Sequence, residues 1–269
     1  MLKVLVTGAA GQIGYMAFDS LRNQGDDYDV YALDRQRAAS ERVPGKWNLD
    51  LTEDRFFRCD LTDYEGLKSA FTGMDIVVHL AADPEGDSWP SLLNSNVVGA
   101  YHVFEACREA GVKRIVAASS IMVSEGQQQK EPYRAMMERR ISDIPVDPEM
   151  VTPDSPAEPR SLYGCSKVWM ESLARTYAHQ FNISCICVRI GQVERDRPRP
   201  PQCADIYVSQ RDIVQMILRC VAAPKDIRFD IYYGLSNNDY RWVDIQRARE
   251  KIGYVPEDRA EDNHDYESR

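Results

Sequence analysis

No stretch of the chain approaches the ~18 consecutive apolar residues that a membrane-spanning helix needs. Basic residues are in the minority: 33 Lys and Arg stand against 42 Asp and Glu, a net charge of −9 over 269 residues. That balance argues against a nucleic-acid or polyanion partner. Cysteine is present without a pattern. There are seven, an odd count, and none falls in a Cys-x-x-Cys pair. Cys185 and Cys187 flank Ile186 on one expected strand, where a bridge between i and i+2 is geometrically poor. No zinc-ligand spacing and no internal repeat is found, so no metal is expected. Reduced, buried thiols in the cytoplasm are the expectation. With an expected strand starting at residue 2, no signal peptide is expected either.

What is there begins at once. Lys3-Val4-Leu5-Val6-Thr7 is a short β-branched apolar run, followed by Gly8-Ala9-Ala10-Gly11-Gln12-Ile13-Gly14. A helical pattern continues at Ile13, Ala17, Phe18 and Leu21. Strand, glycine turn and helix in that order are what a dinucleotide-binding fingerprint requires. Gly8 allows the tight turn. Gly11 leaves room for a pyrophosphate at a helix N-terminus, whose free N–H groups favour an anion. Gly14 lets the helix pack close to the strand. Val30 to Leu33 reads as a second strand and Asp34 ends it, twenty residues after Gly14. A carboxylate there accepts hydrogen bonds from both ribose hydroxyls and repels a 2′-phosphate, so NAD is the expected cofactor. Arg35 and Arg37 can receive such a phosphate and leave NADP open.

Further along, residues 35 to 54 are polar, contain Pro44-Gly45 and are expected as a loop. Arg55 to Cys59 suits a third strand, and Tyr64 to Phe71 a helix capped by Asp63 or Thr62. Ile76 to Leu80 is a continuous apolar run, as in a strand covered on both faces. His79 inside it reads as a hydrogen-bonded core histidine rather than a base. A long helix is expected from Trp89 to Ala110, closed by Gly111. Asn96 sits in its middle, where asparagine is a poor helix former; tying the helix to a nearby loop is one reading, simple solvation the other. Arg114 to Ala118 is the fifth strand, with Ser119-Ser120 at its carboxyl end. Residues 121 to 160 are proline-rich and expected to form a lid or substrate wall. A helix from Ser161 to Phe181 and a strand from Ile183 to Ile190 follow. Beyond come an extended stretch at Arg195 to Pro201, a helix near Arg211 to Ala222, a β-rich piece at Phe229 to Gly234 and a short helix at Val243 to Ile252. The polar tail is expected to be mobile.

Strands alternating with helices give an α/β fold, a Rossmann-type doubly wound parallel sheet with a small C-terminal substrate lobe. The expected division is 1–190 for the dinucleotide-binding core, with its lid, and 191–269 for a lobe and acidic tail packed on it as one unit. Tyr163-Gly164-Cys165-Ser166-Lys167 opens the helix after the lid. A spacing of i and i+4 sets Tyr163 and Lys167 on one face. A phenol is ordinarily a poor base at pH 7. A neighbouring ammonium and a cationic nicotinamide ring both favour its phenolate. Ser120, at the sheet's carboxyl edge, can hold the reacting oxygen in line.

Taken together, Thr7 to Gly14, Asp60-Leu61, His79-Leu80-Ala81-Ala82, Asn96-Val97-Val98-Gly99, Ser119-Ser120 and Tyr163 to Lys167 resemble the extended short-chain dehydrogenase/reductase (NAD-dependent epimerase/dehydratase) family. The resemblance runs from residue 1 to about 190. It implies NAD binding by Gly8, Gly11, Gln12, Ile13, Gly14 and Asp34, adenine contacts from Asp60 and Leu61, and further cofactor contacts from Leu80, Ala81, Ala82, Asn96, Tyr163 and Lys167. Tyr163 carries over as acid/base, Lys167 as its partner and Ser120 as the substrate-positioning hydroxyl. The stretches Ser161 to Lys167, Val188-Arg189-Ile190-Gly191 and Tyr233 to Asp239 are similar to a compact subgroup containing uronate dehydrogenases and the short-chain NAD-dependent glucose-6-phosphate dehydrogenase. Both oxidise the anomeric carbon of a sugar, and Arg189 would serve as a substrate ligand. The subgroup usually reads Ser-Ser-Asn-His where this chain has Ser119-Ser120-Ile121-Met122, so the substrate carries over less safely than the cofactor. The rival readings are a nucleotide-sugar epimerase or dehydratase and a non-catalytic NAD-binding protein.

Two quaternary and recognition expectations complete the reading. The long helices carry more apolar positions than one sheet face covers, so a homodimer through them is expected. Lys130, Arg134, Arg139 and Arg140 on the lid, with Arg195, Arg197 and Arg199 beyond the sixth strand, can hold an anionic substrate or simply pair with nearby acids such as Glu131 and Glu138.

Overall fold

The computed structural model describes residues 1–40, 43, 49, 51–194 and 201–262. Its strands are β1 (Leu2–Thr7), β2 (Tyr28–Asp34), β3 (Phe56–Arg58), β4 (Ile76–His79), β5 (Arg114–Ser120), β6 (Ser184–Ile190), β7 (Gln192–Val193), β8 (Tyr207–Val208) and β9 (Phe229–Gly234). Seven of them form one sheet in the order β3-β2-β1-β4-β5-β6-β9, every neighbouring pair parallel. The short β7 and β8 pair separately. Strand order reverses between β1 and β4, and the crevice outside their carboxyl ends is where such sheets bind ligands.

The period-two alternation of the strands sorts the core into two layers. Val4, Val6, Val30, Ala32, Val78 and Val188 bury one face under α1 (Gln12–Arg22) and α7 (Gln210–Val221). Leu5, Leu33, Val77, Ile115, Ala117 and Cys187 bury the other under α2 (Tyr64–Phe71), α4 (Gly99–Ala110) and α6 (Leu162–Phe181). Burying a side chain such as Phe104 or Leu21 completely stabilises the fold by ~1.5–3 kcal/mol relative to exposing it. Helix limits follow the expected capping chemistry. Asp63 and Ser161 accept from the N–H groups of Gly66 and Gly164, and Gly111 closes α4 in the left-handed region at φ 72°.

The long helix at 89–110 is not uniform. A short α3 (Trp89–Leu92) passes into a π-helical stretch, Leu93–Val98, before α4. Asn96 lies in that stretch and is buried; its amide donates to the Asp83 carbonyl at 3.0 Å and its Oδ1 accepts from Asp83 N at 2.7 Å. The poor helix former thus ties the helix to the loop after β4, as one of the two sequence readings had it.

The division expected at residue 190 does not follow the layers. Beyond it, α7 joins the helices of one sheet face and β9 adds the seventh strand of the sheet. The smaller lobe is built instead from both ends of the remaining chain. Ile121 and Met136 from the lid pack with Leu235, Trp242, Val243 and Ile245 around Tyr233. Val151 exchanges backbone hydrogen bonds with Trp242 and Asp244, at 2.9 Å each, so the stretch is a packed wall. It contains α5 (Tyr133–Glu138), and α8 (Gln246–Ile252) lies behind it. The edge strand β9 is guarded by charge. Buried Asp230 accepts from its neighbour Ile231 N and pairs with Arg247 and Lys251 of α8, at 3.0 and 3.2 Å, which discourages pairing with another strand. The loop at Pro44-Gly45, the stretch 195–200 and residues 263–269 lie outside the described residues. No helix among the described residues is long and apolar enough to cross a membrane.

Candidate active site

A cleft of about 510 Å³ runs along the carboxyl edge of the sheet from β2 to β6. At its centre the turn between β1 and α1 is held from below: Gly8 N and Ala9 N both donate to the Leu33 carbonyl, at 2.9 and 3.3 Å, and Gly11 N donates to Gly8 O at 2.9 Å. Gly8 takes φ +71°, and a Cβ there would stand 2.7 Å from Ala81 N. Only glycine fits. A Cβ on Gly14 would lie 2.0 Å from the Gly8 carbonyl oxygen, so the close approach of α1 to the turn also requires glycine. Gly11 caps α1 with no side-chain hydrogen bond. The N–H groups of the first turn, which a helix cannot satisfy by itself, belong to Gln12, Ile13 and Gly14, all lining the cleft.

Asp34 closes one side of this cradle. Its Oδ2 accepts from Ala10 N at 3.0 Å and its Oδ1 from Gln36 N at 3.4 Å, so the carboxylate is oriented by the same turn that would hold a pyrophosphate. Arg37 is committed elsewhere, to the Leu51 carbonyl at 2.6 Å and Glu53 at 2.8 Å, leaving Arg35 as the exposed arginine beside Asp34. Asp60 accepts from Thr62 N and Oγ1 at 2.9 and 2.7 Å. The backbone hydrogen bond from Thr62 is the main cause that holds its carboxyl below the usual range. Leu61, Leu80, Ala81 and Ala82 complete the walls.

The far end holds the residues expected to react. Tyr163 and Lys167, one turn apart on α6, meet Ser120 from β5 at the same cleft. The Lys167 ammonium is buried, 5.5 Å from the Tyr163 ring centre, and donates to the Ala118 carbonyl at 2.9 Å. Ser120 Oγ accepts from Met122 N at 3.2 Å and keeps its own hydrogen for another partner. Gly86, in the loop that Asn96 holds, comes against Tyr163: a Cβ there would be 3.1 Å from the Tyr163 Cβ. His79 hydrogen-bonds Thr7 Oγ1 at 2.9 Å, fully buried. Desolvation, with Lys167 adding to it, pushes its pKa down to about 3, so the ring is neutral and structural.

Two sequence-expected residues lie away from the cleft. Asn96 bonds Asp83 and the Ser166 hydroxyl, the latter at 3.1 Å, and does not line the cavity; its neighbour Ser95 does. Arg189 is buried behind the site. Nε and one terminal nitrogen form a double hydrogen bond to Glu171, both at 2.9 Å, while the other terminal nitrogen donates to Tyr233 Oη at 2.8 Å. A guanidinium engaged on both sides has nothing left for a sugar. The lid's basic residues are also spent: Lys130 pairs with Glu158, Arg134 with Glu138, and Arg140 with Glu131, Glu138 and Asp143, while Arg139 stacks over Tyr240. Arg195, Arg197 and Arg199 are outside the described residues. Ile121 is packed in the apolar lobe and Met122 against it, so neither replaces the polar contacts of Asn-His. Sequence reasoning missed Gly191, Ile190 and Val193 on the cleft wall and Glu171 behind it. Glu171 had a signal, since it follows Lys167 by one helical turn.

Comparison with known proteins bears on this geometry. The model of the NAD dependent epimerase/dehydratase family matches residues 4–205. The chain belongs to that family. Among curated members, it is 31% identical to the NAD-dependent glucose-6-phosphate dehydrogenase of Haloferax volcanii, over 96% of this chain and 94% of that one. It is 27% identical to the uronate dehydrogenase of Pseudomonas putida, over 96% and 85% of the two chains. Among solved structures, a variant uronate dehydrogenase from Agrobacterium tumefaciens complexed with NAD superposes with a TM-score of 0.76 at 28% identity, covering 97% of this chain and 87% of the other. For an NAD dependent family member the cradle fits: two glycines that tolerate no Cβ, an uncapped helix start and an oriented carboxylate all border one cavity.

Proposed function

We propose that the protein is an NAD-dependent dehydrogenase that oxidises a small sugar, sugar phosphate or sugar acid at its anomeric carbon. The observation that carries this reading is the convergence of Tyr163, Lys167 and Ser120 at the end of a cleft whose other end suits a dinucleotide. The share of the curated relatives that is matched supports it. The sugar dehydrogenases named above are covered over most of their length, whereas a UDP-glucuronate 4-epimerase from Thermodesulfobacterium geofontis is covered over only 57% of its own.

NAD would lie with its pyrophosphate on Gly11 to Gly14, its adenosine ribose on Asp34 and its adenine near Asp60 and Leu61. When bound, the nicotinamide supplies the acceptor for the hydride that leaves the anomeric carbon. The Ser120 hydroxyl holds the reacting oxygen. Tyr163, as phenolate, takes the proton of the anomeric hydroxyl. Lys167, fixed on Ala118 O, places its positive charge beside the Tyr163 ring and would supply a donor for the nicotinamide ribose. The sugar leaves as a lactone, and the Tyr163 proton returns to solvent.

The outer face of the helices supports a homodimer. Trp89, Tyr101 and Trp169 are about half exposed on α3, α4 and α6, and a second copy of these helices would cover them, giving a homodimer. All seven cysteines are unpaired, which supports a reducing compartment, the cytoplasm. A panel of aldoses, uronates and sugar phosphates assayed for NADH absorbance tests the reading. Sugar-dependent NADH formation is expected. A preparation that retains tightly bound NAD and reduces none with any of these sugars would instead indicate an epimerase cycle.

A further inference from the structure

Ser119, Arg189 and Tyr233 stand in register across β5, β6 and β9, one row before the strands end. Their polar atoms converge below the active site. Glu171 projects from α6 onto this row: its Oε1 accepts from Ser119 Oγ at 2.6 Å and from Arg189 Nε at 2.9 Å, and its Oε2 from the second guanidinium nitrogen. Arg189 continues to Tyr233 Oη, which bonds Ser124 Oγ at 2.7 Å in the turn after β5. Every member is buried. Burial by itself would lower the Arg189 pKa, but the Glu171 hydrogen bonds and the Tyr233 contact raise it, so the guanidinium keeps its charge.

The placement of Glu171 gives the network its consequence. It lies one turn beyond Lys167 and two beyond Tyr163 on the same helix. Ser119, which it grips, lies between Ala118, the acceptor for Lys167, and Ser120. The helix bearing the acid/base and the strand bearing the substrate hydroxyl are therefore joined at two adjacent points. One is Lys167 itself and the other is the Glu171–Arg189 pair.

We infer that Glu171 and Arg189 are positioning residues for the dehydrogenase reaction, setting Tyr163 and Lys167 against Ser120, and that Arg189 acts there rather than on the substrate. Buried ion pairs add little stability over apolar residues of equal volume, so a geometric role is the more economical account of one behind a catalytic set. This inference rests on the dehydrogenase reading above.

The test replaces both partners together, Glu171→Met with Arg189→Met, because removing one alone would strand a buried charge. In sugar-dependent NADH formation, kcat is expected to fall by about tenfold or more, the usual scale for a displaced catalytic group. The NAD dissociation constant should rise far less than kcat falls, since only the Lys167 donor is displaced while the glycine turn after β1 and Asp34 on β2 are untouched. The loss should fall on kcat and leave the KM for the sugar nearly unchanged, because neither Glu171 nor Arg189 lines the cleft. A kcat within about twofold of the native enzyme, or a loss carried by the sugar KM alone, overturns the inference. Should the double variant fail to fold, Ser119→Ala removes one hydroxyl and leaves the ion pair intact. It is expected to lower kcat about threefold or more without altering NAD binding, and an unchanged kcat there also overturns the inference. A native enzyme that forms no NADH with any sugar refutes the dehydrogenase reading first; an active native enzyme with an equally active double variant refutes the positioning role alone.

Discussion

Gly14→Ala is the sharpest perturbation of the cofactor cradle. The added methyl would meet the Gly8 carbonyl oxygen at 2.0 Å, the Gly8 carbonyl carbon at 2.7 Å and Ala9 Cα at 3.1 Å. All three belong to the backbone of the turn, and no side-chain rotation relieves them. Van der Waals separation, about 3.5 Å, requires the start of α1 to withdraw from the turn by roughly 1.5 Å. Behind it, Ala17, Phe18 and Leu21 are fully packed on the sheet and oppose the shift. Overpacking of this kind costs about 1–3 kcal/mol, and a backbone obstacle puts it at the upper end. For a chain of this size each kcal/mol lowers Tm by about 2–4 °C, so a drop of about 6–12 °C is expected. The withdrawn helix start also loses its aim at the pyrophosphate. One lost hydrogen bond to a charged group, about 1.5–3 kcal/mol, weakens NAD binding by about ten- to a hundredfold. Thermal melts with and without NAD, together with calorimetric titration, measure both effects. Gly25→Ala is the control. Gly25 also has positive φ, at +67°, but nothing stands within 4 Å of its Cβ position; it should lose about 1–2 kcal/mol of stability and bind NAD normally. Native NAD affinity and a native Tm in Gly14→Ala would refute the assignment of this turn.

Four further outcomes are expected. Tyr163→Phe should lower turnover by about two to four orders of magnitude, the range for a lost acid/base, with NAD affinity unchanged; substantial remaining activity on the best sugar would remove Tyr163 from the mechanism. Asp34→Ala should weaken NAD and strengthen NADP, with the exposed Arg35, now 3.9 Å from Asp60, able to turn to the 2′-phosphate. Steady-state kinetics with both cofactors check this, and a native preference for NADP would contradict the reading of Asp34. Burial pushes the Asp205 carboxyl up to about 6, against hydrogen bonds from Trp242 and Gln128 that hold it down. The folded chain therefore binds this proton more tightly than the unfolded one, and its ionisation costs stability on the order of 3 kcal/mol above pH 6. Asp205→Asn should raise Tm at pH 7.5, with the gain disappearing as pH falls below about 4; a gain independent of pH would point to another cause. Sedimentation at micromolar concentration should give a dimer, and a monomer would leave Trp89, Tyr101 and Trp169 uncovered.

Much of the plan is written locally. The β1 run, the glycine turn and Asp34 follow from chain geometry within one βαβ unit, where neighbours in sequence are neighbours in space. Asp63, Ser161 and Gly111 set helix limits through bonds spanning three or four residues. The pairing of Tyr163 with Lys167 is likewise fixed by helical pitch. These features were legible because the interactions that decide them are short-range, and the family resemblance rests on the same segments.

What the tertiary structure alone decided depends on partners far apart in the chain. Arg189 reads the same in sequence whether it faces a sugar or a carboxylate; only the packing of α6 over β6 brings Glu171, 18 residues away, to its guanidinium. Asn96 is a misfit in its helix until Asp83 and Ser166, the latter 70 residues on, claim its amide. Residues 229–234 read as part of an added lobe and proved to be the sheet's last strand, because β-pairing with β6 lies outside any local signal. The lid's basic residues suggested an anion site by composition, yet acids folded beside them satisfy Lys130, Arg134 and Arg140. A residue's type and spacing set what it is able to do; which groups reach it first is settled by long-range packing, and that choice assigned Arg189 to the framework and Tyr163 to the cleft.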